Sequence, residues 1–206
     1  MKEFWQVNRR NIIRQYAAFM LVMFAIANVS IFYSFHTRHK FDLKQFLLVN
    51  AICLPVSVIT QSLSILGEGK KYVTAKNIIT SPEFAALSTM GFTRFYTDVD
   101  SKLSLSHPFL KATIKGYPSR LEIENGVARL IVDFNTDDFT DEQRKRMKEQ
   151  IGAEKLGNDW LGVALIYKPA RRKKLLSQDV VAELNQLISF LKAEGLNPWP
   201  QEEYPW

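Results

Sequence analysis

The stretch SFHTRHKFDLK, residues 34–44, gathers His36, Arg38, His39, Lys40 and Lys44 around one acid, Asp42. On its own composition it reads as a metal site or a polyanion contact. Its neighbours point elsewhere. Upstream, QYAAFMLVMFAIANVSIFYSF (residues 15–35) holds no charge over 21 positions, and downstream, QFLLVNAICLPVSVITQSLSILG (residues 45–67) holds none over 23. A helix rises 1.5 Å per residue, so each run reaches about 30 Å, the thickness of a hydrocarbon core. Residues 36–44 are then the turn of a helical hairpin, too short to be a domain. The histidines lack the further ligands a closed metal site needs, and the bases are expected to anchor at headgroups.

Other readings of the first run are weaker. Arg9, Arg10 and Arg14 resemble the basic region of a signal peptide, and Ala25-Ile26-Ala27 matches an A-x-A cleavage pattern. The apolar run continues eight residues past that point and a second run follows, so a retained span is expected. A buried hairpin of a soluble protein would carry a polar face, and the first run is apolar nearly all round.

Charge is segregated along the chain. Residues 1–69 carry seven Lys/Arg and three acids, +4 of the total +6, and residues 70–206 carry 20 bases and 18 acids. A 137-residue domain at +2 makes no electrostatic case for nucleic acid. The high isoelectric point, about 9.4, belongs to the flanks of the spans. The single cysteine, Cys53, lies inside an apolar run and excludes an intramolecular disulfide.

The second span is the more polar. Asn50, Ser57, Gln61 and Ser64 share one helical face, as do Ala18, Ala25 and Asn28 on the first span. Such small and polar stripes are expected to pack the helices on each other or to drive oligomerisation. No ionisable residue lies within either span, so a polar conduction path is not expected. Pro55 is expected to kink the second helix. Four bases precede the first span, three occupy the loop, and Lys70, Lys71 and Lys76 follow the second. The excess at the ends favours both termini on the cytoplasmic side of the membrane, an inner membrane if the cell is bacterial.

From Lys70 the texture becomes that of a small α+β domain, residues 70–206, after an exit linker GEGKK (67–71). Ser81 reads as an N-cap with Pro82 at the first helical position and Gly91 as the stop. FTRFYTDV (92–99) and FLKATIKG (109–116) read as strands, with YPS turning into the next. In RLEIENGVARLIVDF (120–134), Asn125-Gly126 between alternating arms predicts a two-residue type I′ hairpin. Thr140 and Gln143 match a capping box at the head of a helix. WLGVALIYKP (160–169) reads as a central strand and SQDVVAELNQLISFLKAEG as a helix capped by Ser177 and stopped by Gly195. This order implies a mostly antiparallel sheet with two or three packed helices, followed by a Pro/Trp-rich tail, 197–206, expected first of all to fold back on the domain.

Chemistry-bearing motifs are scarce. DFNTDDFTDE (133–142) places Asp133, Asn135, Asp137 and Asp141 at positions 1, 3, 5 and 9 of a calcium loop. It then puts Asp138 where glycine is needed and Arg144 where a bidentate glutamate is needed. Arg144–Lys148 reads as the solvated face of its helix. There is no phosphate loop, no dinucleotide fingerprint and no zinc-protease motif, and His107 has no nucleophile signature beside it. No catalytic residue, metal or cofactor is expected.

The one basic cluster outside the hairpin is Arg171, Arg172, Lys173 and Lys174. With Lys70 and Lys71 it would meet anionic lipid headgroups, each base adding about 1 kcal/mol near such a surface. The expectation is a membrane-anchored, non-enzymatic interaction protein that presents a cytoplasmic α+β domain to a protein partner or a second copy. The alternative is a sensor-effector whose domain binds a small phosphorylated ligand at Arg171–Lys174 and controls oligomerisation of the helices. A lipid-modifying enzyme built on His107 and the acids at 133–141 ranks third.

Overall fold

In the computed structural model, residues 1–38, 43–97, 103–137, 139–168 and 175–200 are described. The chain divides into two compact units, Met1–Lys70 with Val99–Ser106, and Lys71–Asp98 with His107–Trp206.

The first unit holds α1 (Lys2–Arg38) and the greater part of α2 (Leu43–Ile79), helices of 37 residues each. Side-chain pairs run in opposite numerical order along them: Tyr16 with Ser62 at 2.6 Å, Gln15 with Gln61 at 3.3 Å, and Asn28 with Asn50. The helices are therefore antiparallel. The linker expected at 67–71 is helix instead. Helical glycine costs about 1 kcal/mol relative to alanine, but Gly69 has a packing reason: a Cβ there would lie 2.7 Å from Met1 Cε and 3.3 Å from Phe4 Cδ1.

A short segment, residues 103–106, is hydrogen-bonded to α1. Asn8, Asn11 and Gln15 share one helical face, and their amides bind its backbone. Asn8 Nδ2 donates to Ser106 O (3.1 Å) while Ser106 N donates to Asn8 Oδ1 (2.6 Å). Asn11 Nδ2 donates to Ser104 O (2.9 Å), and Gln15 Nε2 donates to Leu103 O. Asn8 is 1% exposed, so these bonds satisfy groups that burial would otherwise penalise.

The second unit is a six-stranded antiparallel sheet ordered β1-β2-β3-β4-β6-β5. Its strands are β1 (Thr93–Tyr96), β2 (Pro108–Ile114), β3 (Tyr117–Glu124), β4 (Val127–Asp133), β5 (Leu156–Asn158) and β6 (Gly162–Tyr167). The hairpin at Asn125-Gly126 is present: Glu124 pairs with Val127, and the two turn residues have φ of 50° and 76°. A second turn of the same kind joins β2 to β3. Ile114 pairs with Tyr117 across Lys115 (φ 51°) and Gly116 (φ 94°). YPS is thus strand rather than turn. Pro118 is tolerated because it pairs with Thr113 of β2 while the pairing with β4 begins at Ser119. β6 is not the central strand, because Leu156–Asn158 adds β5 outside it.

One sheet face carries the helices. Leu121, Leu130, Val132 and Leu165 are buried there with Val180, Leu184, Leu187, Ile188 and Leu191 of α4 (Ser177–Ala193) and with Phe84 and Leu87 of a 3-10 helix, Pro82–Met90. Ser81 stands at the cap position but its side chain makes no capping bond. The capping box of α3 (Asp141–Ile151) is complete: Gln143 N donates to Thr140 Oγ1, and Thr140 N donates to Gln143 Oε1. The cap of α4 sits one residue before the expected Ser177, at Leu176, whose N–H is accepted by the Asp179 carboxylate at 3.3 Å. At the other end Leu196 N bonds Leu191 O and Gly195 N bonds Lys192 O, a Schellman closure around Gly195 (φ 72°). The chain then folds back on the sheet: Tyr117 Oη donates to Leu196 O at 2.6 Å, and Phe134 bridges Pro198.

Candidate functional site

Cross-strand register places Lys111, Arg120, Ile131 and Ala164 in one row, since Lys111 pairs with Arg120, Arg120 with Ile131, and Ile131 with Ala164. Side chains two apart on a strand share a face, so Glu122, Glu124, Arg129 and Asp133 join this row on the face away from α4. The result is a charge cluster on a largely buried surface. Arg120, 3% exposed, is its centre. Its Nη2 lies 2.8 Å from Asp159 Oδ1 and 3.6 Å from Asp133 Oδ1, and its Nε lies 3.0 Å from Glu122 Oε1. Arg129 extends the chain of charges, with Nη1 2.8 Å from Glu124 Oε2 and Nη2 3.4 Å from Asp159 Oδ2.

The field of this cluster appears in its titrating groups. Burial pushes the Glu122 carboxyl above its ordinary value while Arg120 pulls it down. Burial lowers the Lys111 ammonium, with Asp133 opposing that shift and Arg120 adding to it. Asp133, placed first in the calcium-loop reading, is fully buried and faces Arg120. Among the described residues no group of three or more His, Cys, Asp or Glu side chains is placed to hold a metal.

Beside the cluster, at the mouth between α3 and the β5–β6 turn, is a pocket of about 320 Å³. Met147, Leu156 and Val163 give it apolar walls, Arg144 and Lys148 line it from α3, Asn158 lines it from the end of β5, and Asp159 from the turn. The Arg144 guanidinium carbon stands 5.2 Å from the centre of the Phe139 ring. That ring in turn packs edge-on to Phe134 at 5.2 Å. His107 lies elsewhere. It accompanies the Tyr72 ring at 6.3 Å and donates its backbone N–H to Thr97 Oγ1 at 2.8 Å.

The residues singled out from the sequence divide as follows. Asn28 and Asn50 are brought together as a reciprocal amide pair, at 3.0 and 2.9 Å, each also donating to its own helix, to Phe24 O and Phe46 O, at 2.8 Å. Ser57 is buried and donates to Cys53 O, and Gln61 is half-buried beside Gln15. Ala18, Ala25 and Ser64 are exposed, as is Lys70, and Lys71 also faces outward. Arg171, Arg172, Lys173 and Lys174 lie outside the described residues, as do His39 and Lys40 of the hairpin turn.

Sequence reasoning missed three sets of residues: the amide face Asn8, Asn11 and Gln15, the Arg120 cluster and the pocket. The first carried a signal, three amides at helical spacing. The others did not, because their members meet only through strand register.

No family model, no curated protein and no solved structure matches the chain. Fold and site define a structural class: an antiparallel α+β domain that follows a long apolar helical hairpin.

Proposed function

We propose that this chain is an integral membrane accessory protein, not an enzyme, whose helical hairpin crosses the bilayer and whose α+β domain serves a protein partner in the cytoplasm. One observation carries the reading. The hairpin buries Asn28, Asn50 and Ser57 and leaves most of its large apolar side chains uncovered. Leu21, Val29, Ile26, Leu47, Leu48, Ile52, Ile59 and Leu63 are between 58% and 71% exposed, and only 11% of the most apolar stretch of each helix is buried. A core helix of a soluble protein would be mostly covered. Contiguous apolar surface of this extent calls for lipid or another chain.

The placement of Lys and Arg at the chain's ends supports cytoplasmic termini. Lys70 and Lys71, together with Arg171–Lys174, would then meet anionic headgroups. On the domain, Trp160 is 67% exposed at the tip of the β5–β6 turn, the type of side chain that anchors protein interfaces.

Purification in mild detergent followed by mass spectrometry of what co-purifies tests the partner. A stoichiometric protein is expected, and recovery of the chain alone would count against the reading. Reporter fusions after residue 206 and within residues 36–44 test the topology, and an extracytoplasmic C-terminus would overturn it.

A further inference from the structure

We propose that the pocket between α3 and the β5–β6 turn is a binding site for a small organic carboxylate with an apolar body. The argument begins with Arg144. It sits one turn before Lys148 on α3, so both cations reach the same cavity. Its guanidinium is held against the Phe139 ring, which sets the direction of its planar edge. Its Nε is buried, and no described group accepts from it. A buried Nε leaves the two Nη groups as the guanidinium edge for a ligand oxygen.

The pocket's own acid does not answer this charge. Asp159 already receives Arg120 on one oxygen, at 2.8 Å, and Arg129 on the other, at 3.4 Å. Both of its oxygens are thus engaged by other cations, and Arg144 and Lys148 are the lining cations with no described acid against them. Met147 lies between them on α3, and Leu156 and Val163 line the pocket from the sheet, apolar walls that would bury hydrocarbon and gain nothing from a bare ion.

Size and geometry narrow the ligand class. A volume of about 320 Å³ lies at the low end of small-molecule sites. The Nη pair of arginine is a planar fork that matches the two oxygens of a carboxylate. Lys148, exposed at the rim, adds a point charge. The site therefore takes the carboxylate on Arg144, the apolar body against Leu156 and Val163, and any hydroxyl on Asn158 or Thr136.

The test is calorimetric titration of the full chain in detergent micelles, with phenylacetate and 3-methylbutyrate as probes. Their neutral amides and inorganic phosphate serve as controls. At least one carboxylate is expected to bind, its amide ~10-fold or more weaker, a difference of one charge-assisted contact. Inorganic phosphate is expected to bind more weakly than the better carboxylate. Arg144→Gln should abolish carboxylate binding, and Arg144→Lys should weaken it, since the charge stays but the fork is lost. Leu156→Trp fills the pocket from the opposite wall without touching either cation and should also abolish it. A melting profile of each variant confirms that it is folded. Failure of both carboxylates to bind would overturn the proposal. So would equal binding of acid and amide, tighter binding of phosphate, or unchanged binding in folded Arg144→Gln or Leu156→Trp.

Discussion

The residue on which the sheet's outer face depends is Arg120. It stands in β3 between two acids that come from distant parts of the chain, Asp133 at the end of β4 and Asp159 in the β5–β6 turn. Both acids are nearly inaccessible, with side-chain exposures of 0% and 8%. Removing one member of such a set leaves uncompensated charge in a poorly solvated place, which costs about 3–5 kcal/mol. Arg120→Met is therefore expected to destabilise the domain by that amount, read as loss of hydrogen-exchange protection across β3, β4 and β6. Adding Asp133→Leu to Arg120→Met should restore part of the loss, because the pair is then replaced by hydrocarbon rather than broken. A loss for Arg120→Met within the ~0.5 kcal/mol of an ordinary surface substitution would show that the cluster is decorative. None of this was visible in the sequence. Arg120 opens the stretch that gave the clearest hairpin signal, yet its two aspartate partners are 13 and 39 positions away, and only the register of β3 on β4 and of β4 on β6 brings them together. Arg144 shows the converse. In the sequence it was one of two residues that disqualified a calcium loop, and in the fold it is one of two cations that line the pocket.

Elements were legible where local chemistry dictates backbone angles and obscure where packing overrides it. Asn125-Gly126 declared its turn because both positions need positive φ and both residues tolerate it. Lys115-Gly116 forms the same kind of turn, but lysine does not announce a left-handed position, and the neighbouring proline drew the turn to the wrong place. β5 has three residues, too few for any periodicity. Gly67 and Gly69 suggested a linker, whereas Gly69 is the point where Met1 and Phe4 pack onto α2. The polar stripe of the second span was legible as a stripe, and the structure shows which members meet. Asn28 and Asn50 exchange two hydrogen bonds and spend their remaining amide hydrogens on their own helices. Replacing either one by leucine strands the amide of the other. Each single change is expected to cost about 1–2 kcal/mol of helix pairing, and the double change less than the sum. Steric-trap or chemical unfolding of the four proteins of this cycle in micelles measures it. Additive losses would mean that the two amides act independently.

At the scale of the whole molecule the question is which solvent the hairpin meets. In water, a helix side chain as exposed as Ile26, at 61%, or Ile52, at 58%, tolerates any polar replacement, and a charge there improves solubility. In hydrocarbon the same charge has no partner and no water. Arginine near the centre of a spanning helix costs about 2.5–3.5 kcal/mol on insertion scales, roughly a hundredfold or more in the insertion equilibrium. Ile26 lies near the middle of the uncharged run 15–35 and Ile52 in the first half of the run 45–67, so the larger penalty belongs to Ile26. Ile26→Arg is expected to move the chain from the membrane fraction into the aggregated or degraded fraction. Ile26→Ala, of similar helix propensity but uncharged, should leave it in place. A third variant separates insertion from simple misfolding. Lys2→Glu changes charge by two units at the exposed start of α1, outside the uncharged run, and should leave the chain in the membrane. Fractionation of membranes washed at alkaline pH reads all three. An Ile26→Arg chain recovered soluble, monomeric and folded would show that water faces this side of α1, and the hairpin would then have to be the stalk of a soluble assembly.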